Sequence, residues 1–164
     1  MKKIIYFLIA GLFFSSCTHS IIRTGYEIKK SDYKECDVVI KKDTSFSDTL
    51  VKKVGEIKLG ETGFAVACSE AHAINILKGE ACALDADLII VTNENRPDLW
   101  SSCYRCSAEI YQYKSRNITE QIENDDIYNS ENLNKRVNQD RGRNTAIAIV
   151  SITIGLTLGL LSTL

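Results

Sequence analysis

Hydrophobic residues occupy the two ends of the chain as continuous runs and the middle as periodic patterns. In the middle, Cys36-Asp-Val-Val-Ile-Lys-Lys42 is a short β-rich run. Leu50 to Leu59 places Val54, Ile57 and Leu59 as the apolar positions of a strand that bulges or bends at Gly55. Gly60-Glu-Thr-Gly63 then punctuates the chain. Ser69 is placed to cap a helix in which Ile74, Leu77, Ala81, Leu84 and Leu88 recur at spacings of three and four, with His72 and Gly79 on the opposite face. Asp85 and Asp87 end it, and Leu88-Ile-Ile-Val-Thr92 is a compact buried strand. After a loop over Asn93 to Ser102, residues Cys103 to Lys114 alternate, with Tyr104, Cys106, Ala108 and Ile110 on one side. The expected fold is therefore α+β: a small sheet of about four strands, with one helix packed on one face, in the order strand, strand, helix, strand, strand.

The amino-terminal run adds a destination. Met1 to Cys17 reads MKKIIYFLIAGLFFSSC, with two lysines, an apolar stretch too short to span a bilayer, small residues and a cysteine. This is the anatomy of a secretory signal peptide over 1–16. Phe14-Ser-Ser-Cys17 resembles a bacterial lipobox, which implies cleavage before Cys17 and lipid on that residue. Residues 17–34 are then expected to be a tether from the lipid, and 35–116 the α+β ectodomain.

At the other end, Thr145 to Leu164 is uncharged. As a helix its twenty residues would reach about 30 Å, the thickness of the hydrocarbon core. Gly155 and Gly159 form a G-x-x-x-G pattern that suits a homodimer contact. Between domain and tail, 117–144 reads as a polar linker, partly helical near Ile127 to Val137.

A net charge of −1 gives no electrostatic basis for nucleic-acid binding. The expected partners are a membrane and other envelope proteins. The expected location is a bacterial cell envelope, extracytoplasmic and membrane-anchored, at the inner or the outer membrane.

Cysteine chemistry changes the picture further. With Cys17 assigned to lipid, Cys36, Cys68, Cys82, Cys103 and Cys106 remain, an odd number in an exported protein where disulfides form. The segment Trp100-Ser-Ser-Cys-Tyr-Arg-Cys106 holds a C-x-x-C pair. A redox pair of this kind sits at a helix N-terminus, where the thiolate is stabilised, whereas this one opens a strand. A structural zinc site uses four ligands, and no second such pair exists. Strand parity points Cys103 and Cys106 to opposite faces, so each is expected to find its own partner or to stay free. Cys106, on the helix side, is within reach of Cys82 or Cys36. A thiol- or heavy-metal-binding module using Cys103, Cys106 and Cys82 is the alternative. No nucleophile–base constellation is present, the chain has two histidines, and neither catalytic residues nor a cofactor are expected.

Val54-Gly-Glu-Ile57, Cys68 before a helix, Ala83-Leu-Asp-Ala-Asp-Leu-Ile-Ile90 and Cys103 at the start of the last strand resemble the core of the RcsF family of outer-membrane lipoproteins, which sense envelope damage. The resemblance covers about residues 50 to 113. It implies a Cys68–Cys103 bridge and a non-enzymatic role in protein interaction or envelope-stress sensing. Cys36, Cys82, Cys106 and the apolar tail depart from that pattern.

Overall fold

Alternating side chains and one amphipathic helix assemble into a mixed sheet with a helix on one face. The computed structural model describes residues 17–28, 36–61, 65–98, 101–115 and 125–142. The segment 1–16, expected to be a signal peptide, the apolar run 145–164 with Gly155 and Gly159, and Trp100 lie outside them. The strands are β1 (Cys17–Thr24), β2 (Val39–Lys42), β3 (Val51–Glu61), β4 (Ala65–Ala67), β5 (Leu88–Asn95) and β6 (Arg105–Tyr113). Helix α1 covers Glu70–Ala83. A 3₁₀ turn at Asp126–Tyr128 leads into helix α2 over 130–142.

The strand order is β2-β5-β6-β3-β1-β4. β6 is antiparallel to both β5 and β3, and β3 is antiparallel to β1. β2 runs parallel to β5, and the three-residue β4 adds a short parallel pairing at the start of β1. The fold class is α+β, as the patterning implies, but the sheet exceeds the four strands expected. The additional strands are β1 and the short β4. Residues 17–34 read as a tether in the sequence, yet Cys17–Thr24 is a strand, with His19 opposite Glu61 and Thr24 opposite Glu56.

The segment that reads as a polar linker also folds in part. Asp125 bonds the Ile40 carbonyl through its amide and accepts from the Lys42 amide, which fixes the approach to α2.

The main core lies between α1 and the sheet. Ile74, Leu77 and Ala81 meet Ile57 and Leu59 of β3, Ile89 and Val91 of β5, and Ala108 and Ile110 of β6. The expected helical stripe is correct up to Leu84, which is the C-cap. Leu88 instead begins β5 and packs on the opposite face with Val51 and Ile90. The turn between them needs Asp85 at φ 52°, in the left-handed region that Asp tolerates better than most residues. Ser69 caps α1 as expected, its side chain accepting from the His72 amide.

Gly55 sits at an irregularity in the β3–β6 register, in agreement with the bulge expected there. A Cβ on Gly55 would stand 2.3 Å from the Tyr26 ring, so glycine is required for Tyr26 to cross the strand.

Candidate functional site

The chemistry of the molecule gathers at the two ends of α1, most of it at the end of the sheet where β1 and α1 begin. Cys68, just before α1, is bonded to Cys103, just before β6, with Cα atoms 5.0 Å apart. This is the pairing implied by the RcsF resemblance. Cys36, before β2, is bonded to Cys82 in the last turn of α1, with Cα atoms 5.6 Å apart. The expectation that Cys106 pairs with Cys82 or Cys36 is therefore corrected: those two pair with each other, and Cys106 is a free, buried thiol. Cys82 and Cys106 do share the core with α1. The position of Cys36 at the start of β2 takes Cys82 away from Cys106. Burial, together with the nearby charges of Glu94 and Glu70, pushes the Cys106 thiol up to about 12. A thiol in that setting is a packed side chain rather than a nucleophile.

Cys103, Cys106 and Cys82 do not form one cluster, since two of them are in separate bridges. Among the described residues no group of three or more His, Cys, Asp or Glu side chains could hold a metal ion.

The residues between the two cysteines of the C-x-x-C are structural in their contacts. Tyr104 is fully buried, and its hydroxyl donates to Glu94 at 2.9 Å. Arg105 reaches Asp98 at 3.4 Å and Glu61 at 3.8 Å. Ser101 donates to Glu61 and accepts from the Cys103 amide.

His19 and His72 meet at this same end. Their rings stack with centroids 5.4 Å apart and an interplanar angle of 19°. The helical pattern places His72 on an open face of α1; it is half-buried because β1 brings His19 against it. His19 is 5% exposed. Its Nε2 lies 2.8 Å from the Tyr104 carbonyl, which makes that nitrogen the donor in the neutral ring. Its Nδ1 is buried with no hydrogen-bond partner among the described residues. Burial lowers the His19 pKa, the Tyr104 bond opposes this, and His72 lowers it further.

The unfolded chain therefore binds a proton that the folded chain resists. Stability is retained above the ordinary histidine pKa of about 6.5 and falls as pH drops below it. Thermal unfolding at about pH 7.5 and about pH 5.5 should show a larger fall for the natural protein than for His19→Gln, which keeps the bond to Tyr104 without titrating. Because His72 is present in both proteins, the difference reports His19.

An ion network with no signature in the sequence joins α2 to this end. Glu70, in the first turn of α1, has a side chain with no exposure. It accepts from Arg136 of α2 at 2.5 and 3.0 Å and is paired with Arg96 at 3.1 Å. Arg96 also holds Asp140 of α2 at 2.7 Å. Beneath α2 lies a cleft of about 290 Å³ lined by Lys42, Glu94, Arg96, Ile127, Arg136 and Gln139. Its charges are paired: Lys42 meets Glu94 at 2.5 Å. Burial favours the neutral form of Glu94, but bonds from Lys42 and Tyr104, with the charges of Lys42 and Arg96, keep its pKa below the usual carboxylate range. A second buried carboxylate, Glu80, is clamped by Arg23 of β1 at 2.6 and 2.7 Å and by Tyr26 at 3.0 Å.

No family model, curated protein or solved structure matches this chain. The arrangement of its own residues thus carries the functional reading. They are spent on closure: two disulfides, a stacked histidine pair and two buried carboxylates, each tying one element to another. Among the described residues no helix is long and apolar enough to cross a membrane.

Proposed function

We propose that this chain is an exported lipoprotein, held on a bacterial envelope membrane through Cys17, whose α+β domain works by contacting other envelope proteins rather than by catalysis. The observation that carries this reading is the pair of bridges, Cys36–Cys82 and Cys68–Cys103, in a domain that follows directly on a lipobox-like sequence. Bridges of this kind persist in oxidising compartments, where a signal peptide would deliver the chain. The bridge from the start of α1 to the start of β6 also agrees with the RcsF resemblance, which favours a role in sensing envelope damage.

Intact mass of the membrane-extracted protein, alkylated in denaturant without reduction, tests the reading. The expected result is a mature chain beginning at lipid-modified Cys17 with one alkylated thiol, Cys106. An unmodified Cys17, or three or more free thiols, would overturn it. The interaction role predicts that deleting the gene alters an envelope-stress response or the abundance of a crosslinked partner. Absence of both, under a range of envelope stresses, counts against that role.

A further inference from the structure

The start of β1 and the end of α2 lie at the same end of the sheet. His19, two residues after Cys17, is opposite Glu61, the last residue of β3. Glu61 is paired with Arg105, which opens β6, and Arg105 is opposite Asn95, which closes β5. Arg96 follows Asn95 and holds Asp140, two residues before the last described residue of α2. The opposite end of the sheet is made by Thr24, Val51, Leu88 and Tyr113. There the C-terminus of α1 is held by Gln112, which donates to the carbonyls of Leu84 and Asp85.

We propose that the end of the domain where β1 begins is a membrane-facing surface, from which the chain enters one lipid bilayer twice, through acyl chains on Cys17 and through the apolar run 145–164. The inference rests on the lipoprotein reading above and adds the orientation of the domain and the number of its anchors.

Two distances support it. First, there is no spacer at Cys17. That residue is itself in β1, opposite Ala65, and at about 3.3 Å per residue the buried His19 is only about 7 Å away. A domain anchored there cannot stand off the headgroups. Second, three strand spacings separate β1 from β5, about 14 Å across the sheet. From residue 142 to Thr145 an extended chain covers about 10 Å. The two anchors therefore fit within the footprint of one small domain. A tail leaving from the other end would first have to return along the nine residues of β6, about 30 Å.

The test uses the full chain, extracted from membranes and reconstituted in vesicles of phosphatidylethanolamine and phosphatidylglycerol. A photo-crosslinking amino acid replaces Asn95 at the proposed surface or Lys52 near the far end; both positions are exposed. Lipid labelling from position 95 should exceed that from position 52 several-fold. A chain with residues 1–17 replaced by an ordinary cleavable secretory signal and the tail kept, and a chain ending at Gly142 with Cys17 kept, should each stay in the membrane fraction, and the combination should be released. Equal labelling from the two positions, stronger labelling from position 52, or release of the chain that lacks Cys17 but keeps the tail, with lipid on Cys17 of the natural chain confirmed by mass, would overturn the proposal and leave the lipoprotein reading standing. A natural chain without lipid on Cys17 would overturn both.

Discussion

Replacing Cys36 and Cys82 by alanine, or Cys68 and Cys103, should lower the free energy of unfolding by about 4 kcal/mol in each case. The bridges close loops with sequence separations of 46 and 35 residues, and the entropy that such loops remove from the unfolded chain is of this size. Their placement adds to the effect. Cys68 precedes the first residue of α1 and Cys82 lies next to its last, so the helix is fastened to β-sheet segments at both ends. Domains of this size are stable by roughly 5–15 kcal/mol, so loss of both bridges, about 8 kcal/mol together, should remove most of that stability. Urea unfolding of the two double variants and the quadruple variant measures this. An unchanged midpoint would show that the bridges contribute nothing.

The second large effect should come from Arg136→Met. Glu70 is shielded from solvent by the two arginines that neutralise it, and Arg136 makes the closer contacts. Removing one partner of a buried ion pair typically costs about 3–5 kcal/mol, because a charge is left in a low-dielectric setting. Arg96 remains, so the expected loss is near the lower end, about 3 kcal/mol. Part of that loss is undocking of α2, and limited proteolysis within 130–142 should become faster in the variant. Adding Glu70→Met to Arg136→Met should restore most of the stability, since an apolar pair leaves no orphaned charge. If the double variant is no better than Arg136→Met, the network matters for reasons other than charge burial.

These two features also show what the residue pattern discloses. The alternation of Cys106, Ala108 and Ile110 and the spacing of Ile74, Leu77 and Ala81 report burial directly, and β6 and α1 are legible for that reason. β1 is not. Its inward side is His19, Ile21 and Arg23, two of them polar, and Ile22 faces outward with 57% exposure, so no alternation is visible. What makes it a strand is long-range: His19 against Tyr104 and Arg23 against Glu80. α2 is legible in part: a helix is expected near Ile127 to Val137 and one is present over 130–142. Its docking is not legible, because its apolar content is slight and Arg136 and Asp140 dock it through charges that look solvated in the sequence. Nothing in the residue pattern marks Glu70 and Glu80 as buried, although neither side chain is exposed. Of the cysteines, only the Cys68–Cys103 pair is anticipated, and by the family resemblance rather than by any local pattern. The partner of Cys36 depends on β2 lying beside β5, which nothing near Cys36 reports.

The order of the cysteines along the chain gives the bridges a crossed connectivity: Cys36, Cys68, Cys82, Cys103, joined first to third and second to fourth. A chain that crosses a membrane amino end first presents Cys36 and Cys68 to an oxidant before either true partner has arrived. Joined to each other, they would make a loop that the sheet cannot accommodate. β6, which carries the sheet's central pairings, arrives after all four. On the exported reading proposed above, maturation requires either that oxidation wait for the whole domain or that an early Cys36–Cys68 bond be exchanged later, with Cys106 as an additional thiol able to enter the wrong pair until the core closes over it.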